Sequence, residues 1–140
     1  PVVFSAYQTV NGKREKIYHT NVMMCIGETF AVVCLASIDD KKERKSLINH
    51  LQDDGKKVIE ISEDQVNQFA GNMLQLKGAD AASYLVMSQS ALNSLRPAQI
   101  KIIESHTTIL SSPLDTIESC GGGSARCMMA EVFLPTTVSK

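Results

Sequence analysis

The stretch HTNVMM, residues 19–24, decides the reading of the fold because it comes back. AGNMLQ follows at 70–75, and SARCMM at 124–129. In each, a small polar residue (Asn21, Asn72 or Cys127) leads into an apolar run. A period of about 50 residues points to a chain assembled from repeated supersecondary units. Equivalent strand starts in such an assembly converge near a common axis. His19 and Asn21 are therefore expected close to Cys127, although they are far apart in sequence.

Between these stretches, strand and helix patterns alternate. VVFSAYQ at 2–8 has weak strand alternation, and NGKREK at 11–16 gives a turn with a solvated charge run. IYHTNVMMCIG (17–27) and FAVVCLASI (30–38) are expected as strands joined by a Gly-Glu-Thr turn. Asp39 and Asp40 offer an N-cap to a helix over 41–54, with Leu47, Ile48 and Leu51 on one face and Gly55 ending it. KVIEI (57–61) is a short strand, and Ser62 and Gln65 have capping-box spacing for a helical turn. The pattern then repeats: strands over 72–78 and 83–89, helices over 90–95 and 97–105, and a strand over 106–110. Pro97 takes the first position of its helix. A third round begins with a short helix, SPLDTIESC, capped by Ser112 with Pro113 at its first position. The triple glycine at 121–123 breaks that helix, and RCMMAEVFL (126–134) is expected as the last strand.

The 140 residues fit one domain spanning 1–140, and 44% hydrophobic with 21% charged residues is an ordinary globular composition. The net charge of −1 gives no electrostatic reason for nucleic acid or an anionic membrane as partner. The longest apolar stretch is interrupted by GET at 27–29, which argues for two strands and against a membrane span. PVVFSAYQTVNGK at the start is not a secretion signal. It also lacks an initiator Met, so processing or membership of a longer protein is expected. Cys25, Cys34, Cys120 and Cys127 form no C-x-x-C pair, so a zinc site is not expected. Reduced thiols in a cytoplasmic compartment are the better fit.

Two readings of Cys127 stand side by side. Cysteine is among the most buried residue types, and a Gly-rich turn is common punctuation, so spacing alone favours a buried filler. Adjacent Arg126 and close-approaching glycine backbone, Gly122 and Gly123 among it, suit a reactive thiolate instead. A nucleophilic cysteine works with a histidine near it in space. His50 lies on a charged helix and reads as a surface or boundary residue. His106 sits at a helix-to-strand passage, as a cap or a site residue. His19 alone enters a strand at the position that the repeat equates with Cys127, where a half-buried structural role is equally open. Asn72 could hold a substrate or cap a turn. Glu131 is either exposed or paired. Met23, Met24, Met128 and Met129 read as core packing.

Taken together, IYHTNVMMCIG, FAGNMLQL, LVMS, SHTTIL and CGGGSARCMMAEVFLP resemble the C-terminal half of the amidinotransferase-related, arginine-deiminase-like proteins, nearest the citrulline-utilization hydrolase branch. The resemblance runs from Val2 to Pro135. It implies the pentein fold, an α/β propeller of five ββαβ modules, of which about half would be present here. It implies a nucleophilic cysteine, matched by Cys127, and a histidine matched by His19. Asn21, Asn72, Gly122, Gly123 and Arg126 fall at positions suited to substrate binding. Many relatives carry His-x-Asp where this chain has His19-Thr20-Asn21. The neutral amide suits a ureido group better than a strongly cationic guanidinium.

The function so implied is cysteine-dependent hydrolysis of a guanidino or ureido substrate through a covalent S-linked intermediate, without metal or organic cofactor. Amidinotransfer to an amine is the alternative within the class, and a non-catalytic binding module of the same fold is the alternative outside it. The other carboxylates of such a site belong to the N-terminal half, which becomes an expected partner. A homo-oligomer is compatible with this reading.

Overall fold

A computed structural model describes residues 1–78 and 81–131. The chain opens with a hairpin of β1 (Tyr7–Val10) and β2 (Lys13–Lys16), paired antiparallel from Tyr7↔Lys16 to Val10↔Lys13. Asn11 and Gly12 both take positive φ, 49° and 75°, the backbone that a two-residue hairpin turn needs. The charge run is thus the second strand of a hairpin, all four of its residues exposed. Arg14 fastens the hairpin to the body of the chain, through Nη2 to Asp39 at 2.5 Å and Nη1 to Glu63 at 2.6 Å.

Two units of one topology come next. The first is β3 (Met24–Ile26), β4 (Phe30–Val33), α1 (Lys41–Asp53) and β5 (Lys57–Glu60). Its sheet order is β3-β4-β5, antiparallel then parallel. After the short α2 (Glu63–Asn67) comes the second unit: β6 (Leu74–Lys77), β7 (Ser83–Ser88), α3 (Gln89–Ser94), α4 (Pro97–Glu104) and β8 (Thr108–Ser112). Its order is β6-β7-β8, again antiparallel then parallel. Among the described residues, the ββαβ repeat expected from the sequence is therefore present twice.

Local chemistry explains the boundaries. Asp40 caps α1, accepting from Lys42 N at 2.7 Å and Glu43 N at 3.0 Å, while Leu47 and Leu51 bury one helix face. Ser62 and Gln65 close a full capping box on α2. The Gln65 amide also donates to Ser94 O at 2.7 Å, stitching the first unit to the second. All of β4 is buried because β5 and β3 flank it and side chains cover both faces. Met23, Phe30, Ile38, Ile61, Met73, Leu85 and Met87 are fully buried in the shared core. Each large apolar side chain so placed contributes roughly 1.5–3 kcal/mol. No helix among the described residues is long and apolar enough to cross a membrane.

Several expectations are corrected. The segment 17–27 is not one strand: Thr20–Val22 is a 3-10 turn, and only Met24–Ile26 is extended. The last strand is absent through residue 131; Ala125–Met128 forms a 3-10 turn, with Cys127 N donating to Ser124 O, and residues 132–134 lie outside the described residues. Ser112 ends β8 and does not cap the next helix. Helix α5 (Asp115–Gly121) begins after Leu114, leaving Pro113 outside it. Met128 is 49% exposed and packs no core, unlike Met23 and Met24.

Candidate functional site

Three segments meet at the ends of the units. The first is the turn that His19 opens, with Val22 N donating to His19 O at 3.1 Å. The second is the Gly71–Asn72 entry to β6. A Cβ on Gly71 would strike the Val22 carbonyl and the Met23 backbone, so only glycine lets these two segments lie this close. The third is the loop from Gly122 through Cys127. Gly122 takes φ +64° at the end of α5, and a Cβ on Gly123 would stand 3.3 Å from Cys127 Sγ.

Asn72, 5% exposed, joins all three. Its Nδ2 lies 3.2 Å from Asn21 O and 3.2 Å from Cys127 Sγ. Its Oδ1 accepts from Arg126 N at 3.1 Å. The convergence expected from the repeat is met at Asn21, Asn72 and Cys127.

A cavity of about 380 Å³ opens where they meet. His19, Asn21, Asn72, Gly122, Gly123 and Cys127 line it, together with Gln8, Tyr18, Val22, Val66, Asn67 and Phe69. Cys127 is exposed, whereas Cys25 and Cys34 are fully buried, so the buried-filler reading fits the latter pair and not Cys127. His19 is exposed, its ring set edge-on to Tyr18 with centroids 6.1 Å apart.

Arg126 is not among the described residues that line this cavity. Its backbone is bound to Asn72, but its side chain lines an adjoining hollow with His19, Thr20, Asn21, Leu74, Met129 and Glu131. From there its charge is felt at Cys25. Burial nevertheless dominates and pushes the Cys25 thiol up to about 11, with Arg126 and a backbone hydrogen bond at Gln75 pulling the other way. Glu131 is exposed.

The remaining histidines stand apart from the cavity. His106 shares a 2.8 Å hydrogen bond with Thr29 Oγ1 and packs on Phe30, and His50 is exposed on α1. A larger hollow of about 590 Å³, lined by Gln75, Lys77, Glu131 and neighbours, contains neither cysteine nor histidine among the described residues. The smaller cavity is the one that holds both Cys127 and His19.

Sequence reasoning did not find Gln8, Tyr18 or Phe69. Tyr18 adjoins His19, which is a usable signal. Gln8 reaches the cavity through the hairpin, and Phe69 through a left-handed backbone, φ +64°, that is rare for an aromatic residue. No carboxylate lines the cavity among the described residues. A thiol and an imidazole line one cavity, with amides and glycine backbone around them, and these are the group types that attack on a planar carbon centre and proton transfer to it require.

The family model described as N,N dimethylarginine dimethylhydrolase, eukaryotic, matches residues 1–134. No curated protein sequence matches the chain. Among solved structures, the fold is similar to the apo structure of ArgZ, an arginine dihydrolase from the ornithine-ammonia cycle in cyanobacteria, with a TM-score of 0.57 and 16% identity. The match covers 79% of this chain and 16% of that one. At that identity the likeness is one of fold.

Proposed function

The chain belongs to the eukaryotic dimethylarginine dimethylhydrolase family, among the pentein-fold enzymes that modify guanidino groups, and on that premise we propose that it carries the nucleophile and the proton-transfer group of a cysteine-dependent hydrolase. The observation that supports this most is the exposure of Cys127 in the cavity that His19 also lines.

In this reading the Cys127 thiolate attacks the planar carbon of an arginine-like guanidino or ureido group. The carbon–sulfur bond forms as the π electrons move onto a substrate nitrogen or oxygen. His19 gives a proton to the departing nitrogen as its bond to carbon breaks. Water then attacks the S-linked carbon, His19 takes its proton, and the carbon–sulfur bond breaks to restore the thiolate. Asn21 and the backbone of Gly122 and Gly123 serve as substrate contacts. Arg126 meets only a substrate portion that extends into the adjoining hollow. No step requires a metal or an organic cofactor.

The reading places the chain within a longer enzyme, as one portion of a larger propeller whose N-terminal half supplies carboxylates to the site. Two observations support it: the absence of acidic residues among the described residues lining the cavity, and the 16% share of the ArgZ chain that this one spans. The same lack of carboxylates favours a second reading for the chain by itself, a binding module for arginine-like ligands. Amidinotransfer differs only in an amine replacing the water, and a product assay with and without an amine acceptor separates it. Four free thiols suit the cytoplasm.

The test uses dimethylarginine, arginine and citrulline as substrates of the full-length enzyme, with intact-mass analysis of quenched turnover. The expected result is an adduct on Cys127, and loss of turnover in Cys127→Ser and in His19→Ala. Activity that survives both substitutions overturns the mechanism. A Cys127 no more reactive than Cys25 or Cys34 towards a thiol reagent supports the binding module.

A further inference from the structure

Asn72 sits at the junction of the three converging segments, and its hydrogen-bonding capacity is nearly all spoken for. A primary amide offers two N–H donors and one carbonyl oxygen. Nδ2 is within 3.2 Å of both Asn21 O and Cys127 Sγ, and Oδ1 accepts from Arg126 N at 3.1 Å.

The orientation of an amide is ordinarily ambiguous, because O and N look alike. Here two backbone partners fix it. Asn21 O can only accept, and Arg126 N–H can only donate. Turning the amide over would set oxygen against oxygen and N–H against N–H. Cys127 Sγ therefore has the N–H donor as its nearer partner, at 3.2 Å, with Oδ1 at 3.6 Å able to accept only from the protonated thiol, as a consequence of partners on two other segments. The close approach of Gly71 to the Val22 carbonyl presses the 70–72 segment onto the turn and holds the amide in place.

We infer that Asn72 is a positioning residue for Cys127: it aims the sulfur into the cavity and donates a hydrogen bond to it, and it does not bind substrate. This rests on the nucleophile reading of Cys127 and reassigns Asn72 within it. A thiolate is a far better acceptor than a thiol, so a fixed donor beside the sulfur favours the reactive form. The other titratable or charged groups near the sulfur are His19 and Tyr18 in the cavity lining and Arg126 one residue back.

The experiment is alkylation by iodoacetamide across a pH series, followed cysteine by cysteine by peptide mass spectrometry. Cys120, exposed on α5, is the internal reference, and the buried Cys25 and Cys34 report whether the fold is intact. In the unmodified chain Cys127 is expected to react faster than Cys120 at neutral pH. In Asn72→Asp the acceptor for Arg126 N is kept and the donor to sulfur is lost. Cys127 is then expected to react about tenfold more slowly at neutral pH, the size of one lost hydrogen bond to a charged group, with its profile displaced upward and Cys120 unchanged. Asn72→Leu removes the donor without adding charge and is expected to move Cys127 the same way.

An unchanged Cys127 profile in both variants, with Cys25 and Cys34 still protected, overturns the inference. Should the variants expose the core thiols, the unmodified chain decides: a Cys127 rate no higher than that of Cys120 at neutral pH overturns it. The hydrolase reading fails by a different route, through turnover that survives Cys127→Ser, and that result leaves the alkylation outcome untouched.

Discussion

The Ser124 hydroxyl donates to the Glu118 carboxylate at 2.6 Å and closes the glycine loop that leads to Cys127. Glu118 also receives hydrogen bonds from Ser88 and Ser90, at the start of α3. The loop is thereby tied to the second ββαβ unit as well as to its own helix.

These bonds make the loop sensitive to acid. Desolvation raises the Glu118 pKa, but the hydrogen bonds from Ser124, Ser88 and Ser90 together outweigh it and hold the carboxyl below its usual range. A lowered folded-state pKa contributes stability that is complete above the unfolded value, about 4.3 for glutamate, and is lost as pH falls through the folded one. Urea midpoints taken from neutral pH downward are expected to fall less steeply in Glu118→Gln than in the unmodified chain. Equal acid slopes would show that the Glu118 carboxylate does not set the acid sensitivity.

The glycines of the loop have separable roles. A Cβ at position 123 would lie 3.2 Å from Cys127 Cβ and 3.3 Å from its Sγ, and so displaces the sulfur more than the fold. Gly123→Ala is expected to slow Cys127 alkylation severalfold with little change in melting temperature. Gly122→Ala meets open space but must hold φ +64°, and costs about 1 kcal/mol of stability. Alkylation rates and thermal melts on both variants check the contrast; a melt lowered more at 123 than at 122 reverses it.

The repeat is legible in the sequence because apolar strands, Asp40 and Ser62 caps and Pro97 at a helix start all sit at their ordinary positions. The pattern alone makes the shared feature a strand start, and the fold adds 3-10 turns to it, at Thr20–Val22 and again at Ala125–Met128. A short run such as ARCMM has the apolarity of a strand, and only the hydrogen bond of Cys127 N to Ser124 O reveals the turn. The exposure of Cys127 is equally hidden, since cysteine is buried more often than not and exposure depends on how neighbouring segments meet. Gln8 and Phe69 have no local signature at all. One is carried in by a hairpin fastened through Arg14, the other by a left-handed backbone.

Gly71 is the position where fold and site depend on the same atom. An added Cβ there meets backbone, the Val22 carbonyl and Met23, and cannot be relieved by a side-chain rotation. Gly71→Ala is expected to cost about 1–3 kcal/mol, the range for overpacking a tight contact. It also draws the Asn72 amide away from Asn21 O, so Cys127 alkylation should slow in the fraction that remains folded. Denaturant titration combined with alkylation of the folded fraction tests both parts. Wild-type stability in this variant would mean that the two segments can part at no cost.

Cys25 gives the opposite pH dependence to Glu118. It is fully buried, and burial moves its thiol from 9.0 to about 11, against the smaller opposing effects of the Arg126 charge and the Gln75 backbone. The unfolded chain loses the Cys25 proton before the folded chain does. The stabilisation is therefore complete below the unfolded value and is lost as pH rises towards the folded one, between 9.0 and about 11. Its full size is roughly 2–3 kcal/mol, from the worth of a unit of pKa. Lysines and tyrosines titrate in the same window, so the informative quantity is a difference. Cys25→Ala is expected to be less stable at neutral pH by about 1 kcal/mol, from lost packing. Its stability should then decline less steeply than that of the unmodified chain across the alkaline window. Parallel alkaline slopes in denaturant titrations would show that the Cys25 thiol gains no protection from the core.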